Sequence, residues 1–275
     1  MQRKLGYETN CWGALGGDGV GVTSIGRLVY RTFADMARAI SEIGAVGYDG
    51  VELFDGNLLD YEDRKADFRS LLSDAGVELV ATYSGGNFIF PDVLTEELEK
   101  IRRVAAVTAD LGGKYLVVGG GAKRLGGIQA GDPDRLGAGL DAVDDIARSF
   151  GLVATYHPHL TTMAETPEQV RDIFSRTRIG FCPATAHLAA GGADVPALVR
   201  ELHTRIPYIH LKGWQRNPFA FTPLDTGDLD QSAILRVLDE VKYTGWITVE
   251  LDSWPDPKEG AQRSLEFLRR HAANS

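Results

Sequence analysis

Two cysteines, Cys11 and Cys182, are all that the 275 residues contain, and they sit far apart without metal-ligand spacing. That excludes a disulfide framework and makes a reducing, cytoplasmic setting the default expectation. Basic residues are also short: 29 Lys and Arg face 38 Asp and Glu, for a formal net charge of −9. A nucleic-acid surface wants a basic face, so this balance argues against one. No run approaches the roughly 18 apolar residues that would span a membrane. The first six residues lead into Tyr7-Glu8-Thr9-Asn10 rather than an apolar stretch, so no secretory signal is expected.

What is present is a rhythm. Residues 5–9, 50–54, 77–83, 115–118, 152–156, 179–182, 208–211 and 246–251 are short apolar runs that read as strands. Between them, residues 33–43, 62–75, 95–111, 132–151, 166–174, 196–203, 230–241 and 258–271 read as amphipathic helices. In the first of these, Phe33, Met36, Ile40 and Ile43 fall on one face, with Thr32 as cap and Gly44 as stop. Strands alternating with helices imply a parallel sheet, and eight such units in one chain make a (β/α)8 TIM barrel, an α/β fold, taken as a single domain over residues 1–275. An open doubly wound sheet is the runner-up. It would usually carry a Gly-x-Gly-x-x-Gly turn after its first strand, and here the run Gly119-Gly120-Gly121 follows the fourth. That run reads as a loop, or as a place where substrate approaches the backbone. A second glycine-rich loop spans residues 13–21.

In such a barrel the C-terminal ends of the strands form the active face. Glu8, Glu52, His157, His159, His187, His210, Lys212 and Glu250 would then ring one mouth, taking four of the six histidines. His203 and His271 fall in a helix and near the tail. His210 and Glu250 end neighbouring strands, and an imidazole beside a carboxylate suits Mn²⁺, Co²⁺, Zn²⁺ or Mg²⁺. The plainer reading of Glu250 is an ion pair with Lys212. His157 and His159 lie two apart and so face one side, one to bind metal while the other takes a proton or holds a hydroxyl. Glu165, just before the Thr166 cap, is either a metal ligand or a first-turn carboxylate favoured by the helix dipole. Trp12, Trp214 and Trp254 follow strand ends, as an aromatic wall for a ligand's CH groups or as loop packing.

Taken together, Gly50-Val51-Glu52-Leu53, Tyr156-His157-Pro158-His159 with Glu165-Thr166, Thr185-Ala186-His187-Leu188 with Gly191-Gly192, His210-Leu211-Lys212, and Gly245-Trp246 leading to Glu250 resemble the xylose isomerase-like TIM-barrel superfamily. The resemblance covers nearly the whole chain. It implies a divalent cation, Mn²⁺ first, held by residues of the last four strands. His210 and Glu250 match two of those ligands, and Glu165 is the candidate for a third. Ala184 stands where the resemblance implies Asp, so the shell is one carboxylate short. That departure reads as an engineered inactivating substitution, or as a natural chain that binds its metal differently.

The implied reaction is proton transfer next to the carbonyl of a keto-sugar or related polyol, an isomerase or epimerase first. His159, His157, Glu52 and Lys212 would be catalytic, while His187, Trp12 and Trp214 would bind substrate. The Tyr-His-Pro-His stretch is most similar to the inosose dehydratase branch, which acts on keto-inositols, so a hydro-lyase is the alternative. An endonuclease IV-like repair enzyme and a non-catalytic carbohydrate binder remain as further classes. The expected partner is a small keto-sugar or cyclitol, with neither nucleic acid nor membrane, and homo-oligomerisation stays open.

Overall fold

The computed structural model describes residues 3–15, 23–24 and 29–273. Eight parallel strands form one sheet: β1 Leu5–Glu8, β2 Gly50–Phe54, β3 Glu78–Gly86, β4 Tyr115–Gly120, β5 Val153–Tyr156, β6 Gly180–Phe181, β7 Tyr208–Leu211 and β8 Trp246–Val249. Their order is β6-β5-β4-β3-β2-β1-β8-β7. The ends meet where His210 N donates to Pro183 O at 3.1 Å and Ala184 bridges to His210, which closes the sheet into a (β/α)8 TIM barrel. The seam is thin because proline has no N–H to donate, so β6 stops short of it.

The eight outer helices are α1 Met36–Val46, α2 Lys65–Ala75, α3 Pro91–Asp110, α4 Asp132–Ser149, α5 Pro167–Arg176, α6 Val195–Leu202, α7 Gln231–Glu240 and α8 Pro257–Ala273. Several begin on side chains that satisfy an otherwise unpaired backbone N–H. Asp194 and Asp230 cap α6 and α7, while Thr166 and Gln169 form a capping box at the start of α5. An apolar layer between strands and helices forms the main core. A smaller cluster with Phe54, Val80, Val117, Cys182, Tyr208 and Trp246 fills the barrel itself.

The first helix differs from its expected bounds. Asp35, not Thr32, caps it by accepting from Arg38 N at 3.1 Å, and the helix stops at Gly47, not Gly44, where the φ of 103° suits glycine. Thr32–Phe33 instead pairs antiparallel with Ala14–Leu15. The helix expected over 62–75 forms from Lys65 to Ala75 as α2, and a separate short helix, Asp55–Leu59, precedes it directly after β2. Much of the glycine-rich loop expected over 13–21 lies outside the described residues. Gly119 and Gly120 belong to β4, not to a loop. A Cβ on Gly119 would fall 1.8 Å from Tyr83 Oη, so close packing against β3 requires glycine there. No helix among the described residues is long and apolar enough to cross a membrane.

Candidate active site

The strand C-termini carry buried ionisable groups to one place. His210 sits at its centre, fully buried on β7. Its Nε2 lies 3.0 Å from Glu52 Oε2 and its Nδ1 lies 3.1 Å from Glu250 Oε2. A carboxylate only accepts, so a neutral ring can satisfy one of these and leaves a lone pair facing the other. Burial alone would favour the neutral ring, but Cys182, Glu52 and Glu250 outweigh it and hold the imidazolium well above the usual histidine range. The gap between His210 and Glu250 is therefore a place that wants positive charge.

Glu52 is fixed from below. Tyr208 Oη donates to Glu52 Oε2 at 2.6 Å and lies 2.5 Å from Thr248 Oγ1. Beyond Glu250, the Lys212 ammonium donates to Glu250 Oε1 at 2.8 Å and pairs with Asp252 Oδ2 at 2.7 Å. It also stands 3.2 Å from His187 Nε2 and 4.0 Å from the centroid of the Phe221 ring. Burial opposes the charge on Lys212, yet Asp252 and Glu250 overcome it and keep the ammonium. The Glu250 carboxyl, which burial would raise, is pulled well below its normal range by Lys212 and His210. The ion pair of Glu250 with Lys212 and the approach of Glu250 to His210 thus coexist, one on each oxygen.

The remaining imidazoles line one side. The His159 and His187 rings stand 3.6 Å apart between centroids, with His157 5.8 Å from His187 and 5.0 Å from His210. Burial depresses all three, and each stays neutral. His157 Nε2 lies 4.0 Å from Glu250 Oε2. Among the described residues, the groups whose donor atoms come within 4.8 Å of one another are His157 with Cys182 and His210, His157 with His187 and Glu250, and Glu8 with Glu52 and His210.

Other expected residues stand apart. Glu165 belongs to none of these groups; its Oε2 takes an ion pair from Lys123 at 2.5 Å. Trp12 donates its indole N–H to Glu42 at 2.6 Å and packs edge-on against Tyr7. Trp214 is buried beside Phe219, with its Nε1 unpartnered. Ala184 is fully buried at the start of the turn Thr185–Ala190, where its methyl offers no donor. Asp252, which the sequence reading passed over, lies two residues beyond Glu250, a spacing that returns a side chain to the same face of extended chain. Asn10 Nδ2 donates to its second oxygen at 3.2 Å.

The larger of two described cavities, about 770 Å³, opens at the opposite end of the barrel, lined by Arg3, Leu5, Asp239 and Tyr243 among others. Its Arg3 and Asp239 pair with each other at 2.7 Å, and none of the conspicuous buried carboxyl oxygens without a partner lies there. Unpartnered buried atoms of Glu8, Glu52, His157 and His187 are at the mouth.

An inosose dehydratase of Geobacillus kaustophilus (strain HTA426) is 27% identical over 273 residues, covering 85% of this chain and 86% of its own. The rhizopine catabolism protein MocC of Rhizobium meliloti is 27% identical over 271 residues, covering 86% and 82%. Among solved structures, the Escherichia coli 3-keto-D-glucoside 4-epimerase YcjR superposes with a TM-score of 0.75 at 16% identity, over 98% of this chain and all of that one. A Methylomonas sp. D-allulose 3-epimerase solved with D-allulose gives 0.75 at 18% identity, over 98% and 97%. At these identities the structural likeness speaks for the fold. A family model described as xylose isomerase-like TIM barrel matches residues 32–271, nearly the whole chain, and this chain belongs to that family.

Proposed function

We propose that this chain is a divalent-metal-dependent enzyme that moves a proton next to the carbonyl of a keto-sugar or keto-cyclitol. The observation that carries the reading is the approach of His210 Nδ1 to Glu250 Oε2 at 3.1 Å, where a cation can take the place of the ring proton while Glu52 engages the far side of the ring. Donors bound to one small cation stand about that far apart, given metal–ligand distances of ~2.0–2.2 Å. A carboxylate behind a ligating imidazole is the usual device for aiming it. In this reading His210 and Glu250 would hold the metal, with His157, whose Nε2 lies 4.0 Å from Glu250 Oε2, as third donor in place of the expected Glu165. Bound there, a divalent ion supplies Lewis acidity toward a carbonyl and its neighbouring hydroxyl.

The chain's own groups do the rest. His159 Nδ1 lies 2.8 Å from Leu160 O; a carbonyl only accepts, so the proton is on Nδ1 and Nε2 is left with its lone pair. Half-buried at the mouth, His159 is the base that takes the proton beside the carbonyl. The Lys212 ammonium only donates, so His187 accepts at Nε2 and carries its own proton on Nδ1, as a donor for a substrate oxygen.

Proton return to the other face, or to the neighbouring carbon, gives epimerisation or isomerisation, and loss of a β-hydroxyl gives dehydration. The dehydratase outcome is the second reading, favoured by the inosose dehydratase relative that covers most of the chain. Mn²⁺-loaded protein in deuterated water, given a panel of ketohexoses and inososes, should wash deuterium into the carbon next to the carbonyl. Exchange without water loss marks the first outcome and water loss the second, while exchange with no member of the panel rejects both. Ala184→Asp should raise Mn²⁺ affinity and turnover if an inactivating substitution stands there; no change in either rejects that origin.

A further inference from the structure

Glu8 and Glu52 face each other across β1 and β2, where their Cα atoms are register partners. Both are buried, at 1% and 0% exposure. Glu52 Oε2 is taken by Tyr208 and His210, but Glu52 Oε1 and both oxygens of Glu8 have no hydrogen-bond partner. Three carboxyl oxygens are thus withdrawn from water with nothing to replace it. Buried polar groups are otherwise satisfied almost everywhere in folded proteins, so such a cluster asks for an occupant.

We infer that Glu8 and Glu52 hold a hard divalent cation of the Mg²⁺ or Mn²⁺ type, separate from the ion assigned to His210 and Glu250. The donors point to that chemistry. The free donors are carboxylate oxygens, which suit hard ions over Zn²⁺ or Cu²⁺, with the His210 ring the third group that converges there. Burial, with repulsion from Glu250 and Glu52, pushes the Glu8 carboxyl well up, a field that a cation would relieve. The site is connected to the first one. Glu52 Oε2 touches His210 Nε2, so an ion on Glu52 Oε1 fixes the carboxylate that aims the His210 ring. The competing occupant is a proton retained on Glu8.

Counting ions separates the two. Protein stripped with a chelator and titrated with Mn²⁺, followed by calorimetry and by electron paramagnetic resonance of free Mn²⁺, should saturate at two ions per chain. Glu8→Gln, which keeps shape but cannot ionise to bind a cation, should saturate at one while keeping the wild-type unfolding temperature before metal is added. The doubly loaded wild type should also show a spin-coupled Mn²⁺ pair that Glu8→Gln lacks. Wild-type protein that saturates at one ion overturns the proposal, and that count decides even if the variant fails to fold. A Glu8→Gln chain that still takes up two ions overturns it as well.

Discussion

Asp55 and Glu52 lie three residues apart, both fully buried, and the surroundings of their carboxylates differ. Asp55 Oδ1 accepts from Tyr30 N at 2.7 Å and Gly56 N at 2.8 Å, while Oδ2 accepts from Ser84 Oγ at 2.7 Å and Lys100 Nζ at 3.1 Å. Lys100 in turn donates to Ser84 Oγ and Gly85 O. Every charge there meets an opposite charge or a donor from the chain, and nothing is left over for a ligand. Around Glu52 and Glu8, three oxygens remain without donors. Burial is equal in the two places, so burial does not separate structure from function. What separates them is whether the chain answers its own charges. The Asp55 network ties the turn after β2 to β3 and α3, whereas the barrel mouth is left open for something from outside.

The comparison breaks most easily at the chemical step. His159→Asn should keep the fold and Mn²⁺ affinity while turnover falls by about 10²–10⁴-fold, the range for losing a positioned base. Deuterium exchange measured on the metal-loaded variant checks this, and an unchanged exchange rate would remove His159 from the role of base. On the structural side, Asp55→Ala leaves the Lys100 ammonium, with 9% of its side chain exposed, without its counter-charge. Breaking a buried pair from one side costs roughly 3–5 kcal/mol, so urea unfolding should show a loss of that order with Mn²⁺ affinity unchanged. A small loss would mean that water reaches Lys100 and that the network is not closed. Between these stands Glu52→Gln. Its amide supports the His210 ring less well, and metal affinity should fall by about 10–100-fold with the unfolding temperature nearly kept.

The barrel was legible because alternation of apolar runs and amphipathic helices is a local signal that repeats eight times. The placing of His157, His210 and Glu250 at strand ends was legible for the same reason, since the fold sends strand C-termini to one face, whereas His187 reaches that face from the short helix Thr185–Ala190 after β6. Two kinds of feature were not. Helix starts with more than one cap candidate are decided by tertiary pairing: Thr32 looks like a cap as good as Asp35 until Thr32–Phe33 is drawn into pairing with Ala14–Leu15. Partners far apart in sequence were also hidden. Nothing local to Glu165 announces Lys123, and nothing local to Glu52 announces that Tyr208 and His210 take one of its oxygens and leave the other bare. Asp252 had a usable signal in its spacing from Glu250.

The smallest expected effect is the most discriminating between the two carboxylate regions. In metal-free protein, Glu8→Gln removes no hydrogen bond, because Glu8 makes none with its side chain. Burial, with repulsion from Glu250 and Glu52, also pushes its carboxyl well up, so an amide of the same shape replaces a group whose surroundings already disfavour charge. Stability should therefore change by less than about 1 kcal/mol, the scale of one ordinary hydrogen bond. Thermal and urea unfolding after chelation, run beside Asp55→Ala, measure this directly. A loss on the Asp55 scale would mean that the chain does bind Glu8 internally, and the contrast between an answered and an unanswered carboxylate would fail at its clearest example.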